Sequence, residues 1–86
     1  RIGAMLARDD VEAALAAIED LASTGDFDRL VATAALLEDD GEPAHAVVWR
    51  TLFAAALAAT PSDSSLLDEH RARFSATLAQ PPAVNG

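Results

Sequence analysis

Apolar residues recur along most of the chain at intervals of three and four positions, and the pattern stops at three short polar stretches. These intervals place apolar side chains on one face of an α-helix. The interruptions, at 23–25, 40–43 and 60–62, contain Gly, Pro, Ser and Asp, which favour helix ends. The pattern predicts four helices, over about 9–23, 26–40, 43–59 and 63–79. Because the connections are short, we expect an all-α fold, either an antiparallel four-helix bundle or a short stack of αα-hairpins.

The first two predicted helices carry capping signals at their ends. Asp9 stands three residues before Glu12, which is the spacing of a capping box, so we expect the first helix to begin at Asp9. Gly25 suits a left-handed helix end, and Asp26 directly after it is a good N-cap for the second helix. The sequence therefore predicts a tight αα-hairpin at this point.

The chain has the length of one domain. The apolar residues before Asp9 do not continue the apolar face of the first helix, so residues 1–8 are predicted to form a separate turn or a short helix. Residues 9–80 are expected to form a single helical domain. The Pro-containing end, 81–86, is expected to be a flexible tail or linker.

The segment 43–59 is the longest apolar stretch of the chain. Its bulky side chains lie on one half of the helix, where other helices can bury them. They are Val48, Trp49, Leu52, Phe53 and Leu57. The opposite half is thin, since it carries the small Ala54 and Ala58 beside the charged Arg50. Small residues let another helix approach closely, so we expect this thin face either to contact a second copy or a neighbouring domain, or to remain exposed.

Two features of the second predicted helix are also candidates for contacts with other elements. Leu36 is an apolar residue on the polar side of that helix, so we expect it to contact either a third helix or a partner. The acidic residues at its end are expected to form a solvated corner or an electrostatic docking patch. The candidate partner-binding residues are Arg50, Ala54, Ala58, Leu36, Glu38, Asp39 and Asp40.

Charge narrows the possible partners. The chain has a formal net charge of -8, which opposes binding to nucleic acid or to an anionic membrane and favours a basic or neutral protein. The apolar segment is too short to span a bilayer and carries Arg50 at its middle. All six cationic residues are Arg, which is typical of a GC-rich bacterial genome. No secretory signal is visible, so a cytoplasmic location is expected.

Candidate chemistry is sparse. Glu42 and His45 have the Glu-x-x-His spacing of di-iron bundles. Such a site needs a second Glu-x-x-His motif and two further Glu residues from facing helices. We therefore expect Glu42 and His45 to be an ordinary acid and histidine at the start of a helix. His70 lies near Ser64 and several acids, yet all belong to one helix and its cap, whereas catalytic triads are assembled from separate elements. We predict no catalytic, cofactor-binding or metal-binding residue.

Two short stretches resemble known families. Asp63 and Ser64 resemble the Asp-Ser start of the phosphopantetheine helix of acyl carrier proteins, which are also small, acidic and helical, although the Leu expected after the serine is absent. Phe53, Ala56 and Pro61 have a spacing similar to that of the second half of a tetratricopeptide repeat. The bulky Trp49 stands where that family prefers a small Ala. Neither stretch is long enough to assign a family.

The expected function is a small acidic module for protein–protein interaction or assembly, without a catalytic site of its own. Its partner is a second copy, another protein or a neighbouring domain of a longer chain. One alternative is an accessory small subunit or helical domain of a larger enzyme. Another is a helical bundle that acts as an acyl carrier or binds a metal.

Overall fold

A computed structural model describes residues 2–80 of the chain. Within this range the chain forms five α-helices and one 3-10 turn, without a β-strand, and the all-α prediction is confirmed. The elements are α1 (Ile2–Ala7), α2 (Val11–Ser23), α3 (Phe27–Leu36), the 3-10 turn Pro43–His45, α4 (Ala46–Ala59) and α5 (Ser65–Ala79). The four predicted helices correspond to α2 to α5. The predicted tail 81–86 lies outside the described residues.

The junction between α1 and α2 differs from the predicted capping box. Asp10, not Asp9, is the N-cap of α2, because its carboxylate accepts a hydrogen bond from the backbone N–H of Ala13 at 3.2 Å. Asp9 instead ends α1 in the left-handed region, with a φ of 55°. The backbone N–H of Asp10 donates to the carbonyl of Met5, and that of Asp9 donates to Leu6, which is the pattern of a Schellman motif. The expected start of the first helix at Asp9 is therefore wrong.

The second predicted helix is shorter than expected. We expected it to continue to Asp40, whereas α3 ends at Leu36. The following backbone N–H groups of Leu37 and Glu38 donate to carbonyls only three residues back. Negative side chains are unfavourable at the negative end of a helix. Unwinding of this last turn brings the carboxylates of Glu38 and Asp40 to histidine and arginine side chains on later elements.

The start of α3 agrees with its sequence signals. Gly25 has a φ of 79°, in the left-handed region that glycine adopts without a Cβ clash. Asp26 is the N-cap of α3, and its carboxylate accepts from the backbone N–H of Arg29 at 3.2 Å. The predicted turn between the first two long helices is confirmed.

The helix α4 packs against α2, α3 and α5. Val48, Leu52 and Phe53 on its bulky half are buried, as predicted. The ring of Phe53 stacks on that of Phe74 in α5, with 4.7 Å between the ring centroids. Three of the five bulky side chains on this half of α4 are thus buried within one copy of the chain, and Trp49 and Leu57 are partly buried against the same core.

Candidate functional site

Arg50, predicted to face a partner, is engaged with α5. Its guanidinium donates to the carbonyls of Thr77 and Gln80, each at 3.1 Å, and to that of Leu78 at 3.3 Å. These carbonyls lie at the C-terminal end of a helix, where intrahelical donors are lacking and a positive charge is favourable. The side chain therefore links α4 to the end of α5.

The acidic stretch after α3 is only partly open to solvent. Asp39 is exposed, whereas Glu38 and Asp40 are half-buried. The carboxylate of Glu38 lies 3.2 Å from Nε of Arg73 and 3.0 Å from Nδ1 of His70. The acidic corner is therefore solvated only in part, since Glu38 and Asp40 face groups on neighbouring elements while Asp39 is exposed.

His70 and the nearby serine serve separate structural contacts. The ring of His70 stacks on Phe74 at a centroid distance of 5.5 Å and faces Glu38. The hydroxyl of Ser64 accepts from the backbone N–H of Leu67 at 3.1 Å, as the N-cap of α5. No hydrogen bond joins His70 to Ser64 within residues 2–80.

His45 lies in a cluster with two carboxylates, which we name the His45 cluster. Its Nε2 is 3.0 Å from Oδ1 of Asp9, and its Nδ1 is 3.0 Å from Oδ2 of Asp40. The hydrogen bond to Asp9 and then that to Asp40 raise the pKa of His45 above its ordinary value of 6.5, and burial opposes them in part. Glu42 lies apart from this cluster, since its carboxylate accepts from the backbone N–H of Ala44 at 3.4 Å.

The side chains of Glu42 and His45 have different partners, since Glu42 accepts from the backbone N–H of Ala44 and His45 faces Asp9 and Asp40. Among the described residues, no group of three or more His, Cys, Asp or Glu side chains is arranged to hold a metal ion. Both ring nitrogens of His45 already face carboxylates.

The thin face of α4 is open to solvent. Ala54 and Ala58 are exposed, and Val47 and Thr51 continue the same row at helical spacing. Val47 is 51% exposed and is the largest apolar side chain in the row. Apart from Val47, the exposed side chains of this row are those of small or hydroxyl-bearing residues.

Leu36 is the most exposed large apolar residue in the described part of the chain, with 80% of its surface accessible. It lies beside a groove of about 370 Å³ between α1, α2 and α3. The groove is lined mainly by apolar and acidic or hydroxyl-bearing side chains, with one arginine. The lining residues are Ile2, Gly3, Ala17, Asp20, Leu21, Thr24, Asp26, Arg29, Thr33 and Leu36. We name this feature the Leu36 groove.

The sequence indicated only part of this site. Leu36 is detectable because it breaks the apolar pattern of its helix. The groove itself also needs α1 beside α2 and α3, and the position of α1 depends on burial of Ile2 and Leu6 against the other helices.

No protein-family model, curated protein or solved structure matches this chain. Within residues 2–80, no helix has both the length and the apolar character needed to cross a membrane.

Proposed function

We propose that this protein is a docking module that binds a basic amphipathic helix of a partner protein in the Leu36 groove. The observation that carries the proposal is the 80% exposure of Leu36 beside a groove whose lining includes Ile2, Ala17 and Leu21. An exposed leucine gains from burial by a partner, and full burial of such a side chain contributes about 1.5–3 kcal/mol.

Charge favours a basic occupant. Asp20 and Asp26 line the groove together with a single cation, Arg29, and the chain as a whole carries a net charge of -8. An approaching basic segment is attracted by this field, whereas a second copy of the chain is repelled. A lining that combines apolar side chains with Asp20 and Asp26 fits a helix that has leucines on one face and arginines beside them.

A synthetic amphipathic peptide with Leu at helical spacing and Arg at the flanking positions serves as the probe. Titration into the isotope-labelled protein, followed by amide NMR shifts, is expected to move the signals of Ala17, Leu21, Thr33 and Leu36. A peptide with the same leucines but Glu in place of Arg is expected to bind more weakly, because the charge complementarity is reversed.

Two matched variants test the role of the exposed leucine. Leu36→Gln keeps the charge and is expected to weaken peptide binding about tenfold, which corresponds to about 1.4 kcal/mol and so to part of the contact of one leucine. Val47→Gln makes the same kind of change on the thin face of α4 and is expected to leave binding unaltered. Shifts confined to α4, equal weakening by both variants, or a lack of saturable binding would each contradict the proposal.

A further inference from the structure

The short helix α1 is held to the rest of the molecule in two ways. Ile2 and Leu6 are each only 4% exposed and pack into the common core. The second connection is polar, because Asp9 at the end of α1 reaches the ring of His45, 36 positions along the chain. Since Ile2 also lines the Leu36 groove, the attachment of α1 affects the shape of that groove.

The His45 cluster needs a proton for both of its contacts. Asp9 and Asp40 are carboxylates that can only accept, so each must receive a hydrogen from one nitrogen of the ring. The imidazolium of His45 carries two N–H groups, whereas the neutral ring carries one. Loss of the proton therefore removes one hydrogen bond and leaves a ring lone pair facing a carboxylate.

The structure indicates which contact is lost. The side chain of Asp9 is 80% exposed and that of Asp40 is 22% exposed. Asp40 is also fixed by a second hydrogen bond, which its other oxygen accepts from the backbone N–H of Glu42 at 3.1 Å. Water can solvate the carboxylate of Asp9 with little cost, so the neutral ring keeps its hydrogen on Nδ1 toward Asp40 and the contact with Asp9 breaks.

We propose that the His45 cluster is a proton-dependent tie that fixes α1 on the bundle when His45 is protonated and loosens α1 when the proton is lost. Among the described residues, the charged groups facing the ring are Asp9 from the junction of α1 with α2 and Asp40 from the segment before α4. Glu42 is the next acid on that segment, and it faces a backbone amide instead. A looser α1 weakens docking at the Leu36 groove, and this second step rests on the proposed function.

The direction of the pH effect follows from the carboxylate contacts. They raise the pKa of His45 in the folded protein above 6.5, the ordinary value of an unfolded histidine. The stability contributed by the cluster is then fully present below 6.5 and is lost as the pH rises through the raised pKa. Acidification therefore tightens the attachment of α1, and alkaline conditions weaken it while the burial of Ile2 and Leu6 remains.

NMR can follow the ring and the helix in the same sample. The Cε1–H signal of His45 reports its protonation, and the Cα shifts of Met5 and Leu6 report the helicity of α1. We expect the three signals to change with one midpoint above 6.5. Shifts of Met5 and Leu6 that remain helical throughout the titration of His45 would overturn the proposal.

A matched pair of variants separates the tie from a general charge effect. Asp9→Asn keeps a residue that tolerates a left-handed φ, and Asp10→Asn keeps an equally good N-cap. Both remove one negative charge, but only Asp9 contacts His45. We expect a lower titration midpoint of His45 in Asp9→Asn than in Asp10→Asn, and no pH dependence of the α1 signals in Asp9→Asn. Equal midpoints in the two variants would refute the tie.

The Leu/Arg peptide tests the second step separately. As the pH rises through the midpoint of the His45 titration, the affinity of the peptide for the native protein is expected to fall. In Asp9→Asn the affinity is expected not to change over the same pH range. Unchanged affinity while α1 loosens would overturn the link between the tie and docking. A lack of peptide binding at every pH would overturn the proposed function, while the ring and α1 signals would still decide whether the tie exists.

Discussion

Replacement of Arg50 by methionine tests whether a single side chain stabilises the end of α5. Methionine keeps an unbranched apolar stem but removes the charge and the donors to three carbonyls, those of Thr77, Leu78 and Gln80. Water reaches the end of this helix and replaces part of the hydrogen bonding. A cation at a partly buried helix C-terminus contributes about 0.3–2 kcal/mol, and a hydrogen bond that involves a charged group contributes about 1.5–3 kcal/mol net of exchange with water. We expect a net loss of about 1.5 kcal/mol.

Urea unfolding followed by far-ultraviolet circular dichroism measures this loss directly. For a domain of this size the corresponding fall in Tm is about 6–12 °C. Arg50→Lys keeps the charge but cannot reach three carbonyls with a planar fork, so its loss is expected to be intermediate. Arg29→Met removes the same charge from an exposed position on α3 and serves as the control. If Arg50→Met destabilises the protein no more than Arg29→Met does, the contacts of Arg50 with the end of α5 do not stabilise the fold.

Two further substitutions test the aromatic packing between α4 and α5 and the ion pair between the acidic stretch after α3 and α5. Phe74→Leu removes the stack on Phe53 from a fully buried position and is expected to lower the free energy of unfolding by about 1–2 kcal/mol, measured by urea unfolding. Glu38→Gln weakens the contact with Arg73, and we expect a loss of about 0.5–1 kcal/mol that shrinks as salt is added. Asp39→Asn removes the same charge from an exposed neighbour, and an equal loss in that variant would contradict the role of the ion pair.

The helical architecture could be predicted because it depends on short-range patterns. Val48, Leu52 and Phe53 recur at helical spacing, and the structure buries them on one side of α4. The turn at Gly25 and Asp26 was equally predictable, because both its left-handed residue and its capping hydrogen bond lie within a few residues of one another. The left-handed glycine and the capping hydrogen bond do not depend on how the two helices pack against the rest of the molecule.

The start of α2 could not be predicted by the same reasoning. Asp9 and Asp10 are chemically equivalent candidates for an N-cap, and the capping-box spacing favoured the wrong one. The choice depends on where α1 ends, and that end is fixed by burial of Ile2 and Leu6 against other helices. A local motif cannot contain this information.

The contacts of the charged candidates Arg50 and Glu38 could not be predicted either, because they also depend on distant parts of the chain. Each charge in an apolar or acidic segment indicates that something must solvate it, but the solvating group can be water, a partner or a distant part of the same chain. Arg50 donates to carbonyls at the end of α5, and Glu38 forms an ion pair with Arg73. These contacts join residues 27 and 35 positions apart, which a sequence pattern does not specify.

Leu36 is a stronger candidate for docking than Arg50. A charged side chain in an apolar segment can form its hydrogen bonds within the same molecule, as Arg50 does with the carbonyls at the end of α5. An apolar side chain is satisfied only by removal of its area from water, and the fold leaves Leu36 80% exposed although it buries Leu37 beside it. One exposed leucine is ordinary on a protein surface. Because Leu36 lines a groove together with Asp20 and Asp26, and the chain has a net charge of -8, we propose a basic partner helix as the occupant instead of a second copy.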